Sequence, residues 1–230
     1  MSSYWCVVPA AGRGRRAGGD RPKQYQPLAG TPMLLRTLER LASHPRIAGL
    51  MVVLDRHDGH WPGWTTLADT PLLTVVGGGE RSDSVLAGLR GLPDTVTGAD
   101  FVLVHDAARP CVRHADIDRL LDLAVPAGGG LLGAPLRDTL KRADAHGRSI
   151  ATEPREARWR AFTPQLFRRA ELLAAIEHAH ADGLTPGDEA RAMEHAGFAP
   201  LLVEGAEDNL KVTTAADFAL AEFLLARSGG

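Results

Sequence analysis

Cysteine is scarce in this chain, and so is lysine. The 230 residues include two cysteines, Cys6 and Cys111, which lie far apart and form no paired-cysteine motif. This pattern excludes a disulfide framework and a cysteine-based zinc site, and it favours a reducing compartment such as the cytoplasm. Of the 26 basic residues only three are lysines, namely Lys23, Lys141 and Lys211. Lysine is a compact point charge and arginine a planar fork, so the two are not interchangeable at a phosphate. Lys23 and Lys211 are therefore candidates for function, whereas Lys141 is equally consistent with a solvated surface position.

Long apolar runs and an excess of one charge are also missing. No stretch approaches the roughly 18 apolar residues of a membrane span, so we expect no contact with a membrane. The net charge of −2 and the isoelectric point near 6.5 argue against a nucleic-acid-binding protein, which usually carries a basic face. The apolar stretch 5–11 follows no basic residue, so we interpret it as a first strand rather than a signal peptide.

Short apolar runs alternate with helical patterns along most of the chain. The predicted strands are 5–9, 49–54, 71–76, 101–104, 131–134 and 201–203. The predicted helices are one that begins with Thr31 as N-cap and Pro32 as first helical residue, and then 82–92, 115–124, 166–179, 187–196 and 215–226. This alternation predicts an α/β fold with a single doubly wound, mostly parallel sheet flanked by helices.

The pattern changes after the fifth predicted strand. Two short strands, 138–142 and 149–152, flank an Asp-Ala-His-Gly turn and predict a β-hairpin. A hairpin here interrupts the doubly wound pattern, so we interpret 137–156 as an inserted β-arm. The length is typical of one domain, and we assign 1–230 to a single domain that carries this arm.

The first predicted strand is followed by a loop rich in glycine and arginine. Ligands of open α/β sheets bind beyond the carboxyl ends of the strands, where this loop begins. Glycines let backbone amides approach an anion closely. Five cations lie within eleven residues, namely Arg13, Arg15, Arg16, Arg21 and Lys23. Glycines and clustered cations after a strand favour a polyphosphate ligand over a merely solvated basic loop.

Two further loops follow predicted strands and carry polar residues. The segment 77–84 has three glycines before Ser82 and Ser84, either of which can cap the next helix. The segment 104–110 places Asp106 at the tip of a buried strand, a position suited to a metal or a hydroxyl group. Each loop is equally consistent with a plain structural role, as a strand-to-helix turn or as an Asp106–Arg109 salt bridge.

Two other chemistries have weaker support. Gly12, Gly14 and Ala17 match the dinucleotide fingerprint G-x-G-x-x-G/A of oxidoreductases. That fingerprint needs an acidic residue about 20 residues later, whereas Asp55 lies 41 residues after Gly14. Histidines 178 and 180 are two residues apart and face different sides of a helix, so we interpret them, with His195, as surface histidines rather than metal ligands.

Eight segments together resemble one family, the 2-C-methyl-D-erythritol 4-phosphate cytidylyltransferases. They occur in the family's order across nearly the whole chain. They are PAAGRGRR (9–16), RPKQY (21–25), GGGERSDSV (77–85), VHDAARP (104–110), RDTLKR (137–142), TPQLF (163–167), DEA (188–190) and DNLKVT (208–213). The resemblance implies a Rossmann-like nucleotidyltransferase fold that transfers the cytidylyl group of CTP to methylerythritol phosphate and needs Mg²⁺ or another divalent cation.

The resemblance also implies the roles of single residues. The implied catalytic residues are Arg16, Lys23, Arg155 and Lys211. The implied CTP-binding residues are Ala10, Ala11, Gly12, Gly14, Gly78, Ser84 and Ala107. The implied residues for the polyol phosphate are Asp106, Arg109, Thr139 and Thr163, joined by Arg155 and Lys211. Asp106 and Asp208 are expected near the metal, whose direct ligands stay open. The arm would swap into a partner subunit, which makes the protein an obligate homodimer with a shared site.

One position departs from the family's pattern. Gly187 stands where the family commonly has a threonine that contacts the substrate phosphate, with Thr185 two residues earlier. A sister activity on another polyol phosphate, such as ribitol 5-phosphate, therefore stays open. Two more classes compete with a transferase. One is a non-catalytic nucleotide sensor, which the retained Arg16, Lys23, Arg155 and Lys211 disfavour, and the second is an oxidoreductase, for which we expect no response of nicotinamide fluorescence.

Overall fold

A computed structural model describes residues 3–12 and 21–228. The strands are β1 (Tyr4–Pro9), β2 (Pro27–Leu28), β3 (Thr31–Pro32), β4 (Ile47–Leu54), β5 (Thr66–Leu67), β6 (Thr70–Val76), β7 (Phe101–Val104), β8 (Gly130–Pro135), β9 (Leu140–Ala143), β10 (Ser149–Glu153), β11 (Trp159–Arg168) and β12 (Leu201–Glu204). The helices are α1 (Met33–Ala42), α2 (Arg81–Arg90), α3 (His114–Ala124), α4 (Arg169–Ala181), α5 (Glu189–His195) and α6 (Ala215–Ser228).

Across the described ranges, the main sheet has eight strands in the order β12-β8-β11-β7-β1-β4-β6-β5. Strand β1 pairs in parallel with β4 on one side and with β7 on the other, so the chain order reverses at β1. Ligands of open α/β sheets bind at such a reversal, beyond the carboxyl ends of the strands. Strand β11 runs antiparallel between β7 and β8, and β5 runs antiparallel to β6.

Side chains of successive residues on a strand point to opposite faces, and here both faces are covered. Cys6 and Val8 of β1 belong to a core that includes residues of α1 and α3. Val7 lies in the core of the opposite face, with residues of α2, α4 and α5. We call the loop after β1 the first loop, residues 77–84 the second loop and residues 104–110 the third loop. A smaller cluster joins Leu28, Val212 and Ala221 with Ala108 of the third loop, and so packs α6 against the chain that follows the first loop and against the third loop.

The predicted fold class is confirmed, but strand β11 was not predicted and the start of the first helix was placed wrongly. Residues 166–168 were expected to begin a helix, but they end β11, and α4 begins at Arg169. The side chains of residues 162–167 are all buried, so the strand lacks the alternation that reveals a strand in sequence. A proline such as Pro164 is also unusual in a central strand, because it cannot donate to the ladder. It is accommodated because the β11–β8 register shifts between Ala161 and Gln165.

The start of the first helix was the other error. Thr31 and Pro32 form β3, which pairs with β2 across a tight turn, and α1 begins at Met33 with Pro32 as its N-cap. Ala29 and Gly30 adopt positive φ angles of 51° and 77°, which close this turn. The extended pairing with β2 therefore takes the place of the expected threonine cap.

Strands β9 and β10 pair antiparallel in a separate two-stranded sheet, close to the predicted hairpin strands. Its use as a dimerisation arm stays a prediction. Among the described helices, none combines the length and the apolar character that crossing a bilayer requires.

Candidate active site

Two adjoining cavities of about 340 Å³ each lie beyond the carboxyl ends of β1, β6 and β7. Arg81, Asp106 and Lys211 line both cavities, so these three residues form the boundary between them. A site with two compartments and a charged boundary is suited to two ligands whose reacting groups meet at that boundary.

The first cavity brings together most of the residues that were expected to bind a nucleotide. Gly14 and Arg16 lie outside the described residues, as do Arg13, Arg15 and Ala17. The expected residues that line this cavity are Ala10, Ala11, Gly12, Lys23, Gly78, Ser84, Asp106, Ala107 and Lys211.

The described ends of the first loop are held by side chains that follow it. The Gln24 side-chain amide donates a hydrogen bond to the carbonyl of Ala10 at 2.7 Å, which returns the chain to the end of β1. The Lys23 ammonium donates to the carbonyl of Val212 at 2.7 Å. The amide of Val212 donates to the carbonyl of Ala108 at 2.8 Å. Lys23 is thereby fixed at the point where the first loop, the third loop and the segment before α6 meet.

The second loop approaches helix α2 so closely that position 78 has room only for glycine. A Cβ atom on Gly78 would lie 2.3 Å from the Cβ of Asp83. Asp83 and Glu80 form a capping box at the start of α2, in which the Asp83 carboxylate accepts from the Glu80 amide at 3.0 Å. This packing exposes the loop backbone to the first cavity beside Ser84, whose hydroxyl donates to the Glu80 carbonyl.

Asp106 lies at the centre of the boundary and holds three cations. Its Oδ1 accepts from Arg81 at 3.0 Å, and its Oδ2 accepts from the Lys211 ammonium at 2.9 Å. Arg109 approaches the same Oδ2 at 3.4 Å. Burial by itself would raise the pKa of Asp106, but Arg81, Lys211 and Arg109 outweigh it and hold that pKa well below its usual range. The carboxylate is therefore ionised and aligns these cations toward both cavities.

Arg81 is held from its other side by a second buried carboxylate. Its guanidinium donates to the two oxygens of Glu189 at 2.6 and 3.2 Å, the bidentate geometry that favours arginine over lysine. Burial opposes the charge on Arg81, yet Glu189 and Asp106 raise its pKa above the ordinary value. Burial also raises the pKa of Glu189, against the effect of Arg81.

The second cavity contains further cations and the position that departs from the family's pattern. Gln165 supports this wall, since its side chain accepts from the Ala190 amide at 2.7 Å and donates to Asp188 at 3.0 Å. The lining residues include Arg109, Phe162, Thr163, Gly187, Asp188 and Arg191. With Arg81 and Lys211 at the boundary, this compartment is suited to an anionic group such as a phosphate monoester.

Two expected residues lie elsewhere on the single chain. Thr139 and Arg155 are exposed, and neither is among the described residues that line the two cavities. The Arg155 guanidinium donates to the carbonyl of Arg137 at the base of the hairpin. One chain by itself therefore does not bring these two residues to the other expected site residues.

His105 and Thr163 fix the backbone beside Asp106. The His105 Nε2 lies 3.0 Å from the carbonyl of Arg109, which can only accept, so Nε2 carries the proton. Nδ1 is then an acceptor, and the Thr163 hydroxyl donates to it at 3.0 Å. The Thr163 oxygen in turn accepts from the Asp106 amide at 3.0 Å. Burial lowers the pKa of His105 to about 4, which keeps this ring neutral.

Comparison with known proteins gives the same family as the sequence motifs. Residues 4–227 match the profile of the 2-C-methyl-D-erythritol 4-phosphate cytidylyltransferases. A protein of that name from Xanthomonas euvesicatoria pv. vesicatoria is 56% identical over 228 residues, which cover 99% of this chain and 86% of the relative. The chain belongs to the 2-C-methyl-D-erythritol 4-phosphate cytidylyltransferase family. The predicted family and enzyme class, a CTP-dependent nucleotidyltransferase, are thereby confirmed.

Solved structures of such cytidylyltransferases agree with this assignment. The enzyme from Francisella tularensis superposes with a TM-score of 0.82 at 30% identity, covering 97% of this chain and 100% of that one. The enzyme from Thermus thermophilus superposes with a TM-score of 0.75 at 31% identity, covering 99% of this chain and 100% of that one. The agreement covers the whole doubly wound sheet and not only the motifs.

The carboxylates of this cytidylyltransferase do not form a metal cage at the described parts of the cavities. Both oxygens of Asp106 accept from cations, and Asp208 pairs with Arg113. Glu80 accepts from the backbone of α2 in the capping box. Mg²⁺ is commonly bound by one or two carboxylates together with substrate phosphates and water. The described donor groups therefore fit a metal that arrives on a nucleotide triphosphate rather than one that the protein holds by itself.

Sequence reasoning missed several residues that build this site. Arg81, Gln165 and Glu189 lie inside the quoted motifs GGGERSDSV, TPQLF and DEA, so the motifs contained them although no role was assigned. His105 directly precedes Asp106 in the motif VHDAARP, and no role of its own was assigned to it. Arg191 lies outside every motif, and only the fold brings it to the second cavity.

The neutral state of His105 makes stability depend on pH in mildly acidic solution. The unfolded chain binds a proton at His105 near pH 6.5, whereas the folded chain resists it down to about pH 4. We therefore expect the free energy of unfolding to decrease as the pH falls from 6.5 to 4. Chemical denaturation of His105→Gln over this range should give a shallower dependence, by up to about 1.4 kcal/mol per pH unit.

The matched control is His146→Gln, which removes an exposed histidine from the turn between β9 and β10. Its pH dependence should follow that of the unaltered protein. If His105→Gln kept the full slope, the buried imidazole would not be the group that takes up the proton.

Proposed function

We propose that this enzyme transfers the cytidylyl group of CTP to 2-C-methyl-D-erythritol 4-phosphate, releasing pyrophosphate. The observation that carries the proposal is the pair of adjoining cavities with Arg81, Asp106 and Lys211 between them. The glycine-containing loops and Lys23 of the first cavity suit the triphosphate of CTP. The cations of the second cavity suit the phosphate of the alcohol.

The reaction needs positioning and charge neutralisation more than proton transfer. A phosphate oxygen of the alcohol attacks the α-phosphorus of CTP, and the bond from that phosphorus to the bridging oxygen of pyrophosphate breaks. The nucleophile is already an anion, so no strong general base is required. Lys23, with Arg16 of the same loop, stabilises the charge that develops on the α-phosphate and on the pyrophosphate. Such phosphoryl-type transfers depend mainly on electrostatic stabilisation.

We further propose that CTP enters as its complex with Mg²⁺ or another divalent cation. The carboxylates near the first cavity are engaged by cations or by backbone, so the triphosphate itself would supply most of the metal's ligands. Lys211 and Arg81, both fixed by Asp106, then face the two phosphates from the protein side.

A homodimer would complete the site. Thr139 and Arg155 belong to the polyol phosphate site by family resemblance, yet both are exposed on or beside the hairpin of the single chain. A swapped arm of a second subunit accounts for this, so we propose residues 137–156 as the dimerisation arm of one domain spanning 1–230. The two-cysteine composition supports a cytoplasmic location.

Turnover with two alcohols tests the substrate assignment. We expect pyrophosphate release from CTP, Mg²⁺ and methylerythritol 4-phosphate, with a kcat/KM well above that for ribitol 5-phosphate. Equal or better use of ribitol 5-phosphate would instead assign the sister activity to this protein. Gly187, which replaces the family's threonine, is the position that leaves this activity open. No pyrophosphate with either alcohol would favour the nucleotide sensor.

Lys23→Ala should lower kcat by about 10²–10³, because a preorganised donor to developing charge is typically worth about 2.7–4 kcal/mol. The lost hydrogen bond to Val212 should also lower the melting temperature slightly, while the circular dichroism spectrum stays that of the folded protein. Arg90→Ala, which removes an exposed cation from α2, is the control and should keep kcat. An unchanged kcat in Lys23→Ala would remove this lysine from the mechanism.

Arg191→Ala should raise the KM for the polyol phosphate by about 10- to 150-fold, with the KM for CTP unchanged. The expectation follows from its place in the second cavity beside Gly187, where a charged hydrogen bond to phosphate contributes about 1.5–3 kcal/mol. Steady-state kinetics with each substrate varied separately measures both constants. A rise in the KM for CTP alone would assign Arg191 to the nucleotide instead.

Mixed dimers test the shared site. Lys23→Ala and Arg155→Ala chains should each be nearly inactive alone. Unfolding and refolding them together should restore activity, because each mixed dimer would contain one site with an unaltered Lys23 and an unaltered arm. Activity that remains at the level of the separate variants after mixing would contradict the swapped arm.

A further inference from the structure

We propose that His178, Asp182 and His195 form a binding site for a divalent transition metal of the zinc class. His178 and Asp182 lie at the end of α4, and His195 is the last residue of α5. The sequence analysis interpreted His178 and His195 as surface histidines rather than metal ligands. They are exposed, but the fold brings both to the same carboxylate, Asp182, and the proposal therefore departs from that interpretation. This site is independent of the proposed transferase chemistry.

The three side chains are already arranged around a common point. The His195 Nε2 lies 2.7 Å from Asp182 Oδ2, and the His178 Nε2 lies 3.4 Å from the same oxygen. One ligand atom from each residue lies within 4.8 Å of the others. Ligands at about 2.0–2.2 Å from a tetrahedral zinc ion are separated by about 3.3–3.6 Å. Small side-chain rotations therefore suffice to receive the metal.

The helix geometry explains why the cluster forms. His178 and Asp182 are four residues apart, so they occupy one face of α4 across a single turn. Asp182 is the C-cap residue directly after α4, and its amide donates to the carbonyl of His178. Helix α5 packs against α4 and presents His195 from its own last turn. The ring centroids of His178 and His195 are 5.3 Å apart.

The donor set selects the class of metal. Two imidazoles and one carboxylate are typical ligands of Zn²⁺ and of its neighbours Co²⁺, Ni²⁺ and Cu²⁺, whereas Mg²⁺ and Ca²⁺ prefer oxygen. Three protein ligands leave at least one position for water. The side chains of His178, Asp182 and His195 are 58%, 49% and 33% exposed, so an ion in solution can reach them.

A metal here would join the ends of two helices. Helix α5 has seven residues, and its first residue, Glu189, holds Arg81 at the boundary of the two cavities. Binding at His195 would restrain the opposite end of that short helix against α4. The expected consequence is stabilisation of the folded chain, since any ligand that binds only the folded state raises its stability.

Metal titration of the full-length protein tests the proposal. Calorimetry with Zn²⁺ in excess Mg²⁺ and without CTP should show one zinc ion bound per chain. At a Zn²⁺ concentration one hundred times Kd, the melting temperature should rise by about 5–10 °C. Co²⁺ in place of Zn²⁺ should give the visible absorption bands of a four-coordinate, tetrahedral site.

Variants identify the ligands. His178→Ala, His195→Ala and Asp182→Asn should each weaken Zn²⁺ binding at least about tenfold and reduce the temperature shift. The matched control is His57→Ala, which removes an exposed histidine that is not one of the three ligands. This variant should bind Zn²⁺ as tightly as the unaltered protein does. Circular dichroism without metal shows whether each variant is folded. Zinc binding that persists in all three variants, or no binding by the unaltered protein, would overturn the proposal.

Discussion

The Asp106 carboxylate is the interaction on which the site depends. It is buried, ionised and shared by Arg81, Arg109 and Lys211, which come from three separate parts of the chain. Three cations in one place repel each other, and a single buried carboxylate would be costly without partners. The carboxylate reduces the repulsion among the three cations, and the cations offset the cost of burying the carboxylate. The two cavities can therefore present concentrated positive charge to phosphates while the unliganded site stays assembled. Glu189 extends this arrangement by holding Arg81 on its far side.

The backbone around Asp106 is fixed by neutral groups rather than by charges. The hydrogen bonds from the Asp106 amide to Thr163, from Thr163 to His105, and from His105 to the Arg109 carbonyl close a small ring of contacts. This ring connects the end of β7 with β11, so the antiparallel strand supports the site as well as the sheet. The His105 imidazole is neutral and so adds no further positive charge beside these cations. A protonated imidazole would compete with them for the Asp106 carboxylate.

Much of this could be predicted from sequence, for identifiable reasons. Alternating apolar runs and helical patterns indicated the α/β class, because buried parallel strands and amphipathic helices have distinct periods. The loop after β1 was expected to border a ligand site, and its described residues Gly12 and Lys23 do line the first cavity. Strand β11 was not predicted, because a strand buried on both faces has no alternation and its Pro164 resembles a loop signal. Arg191 was missed because proximity across the fold leaves no local pattern in sequence.

Strand β8 ends at Pro135, and β11 begins opposite it at Trp159, so the hairpin is the connection between two directly paired strands. The amide of Leu136 donates to the carbonyl of Arg158 at 2.8 Å and clamps the base of that connection. Loop-closure entropy grows slowly with length, by about 0.6 kcal/mol for each doubling. Insertions or deletions in the turn between β9 and β10 thus have little effect on the sheet, so the length of this projection can change while the framework that carries the two cavities stays the same.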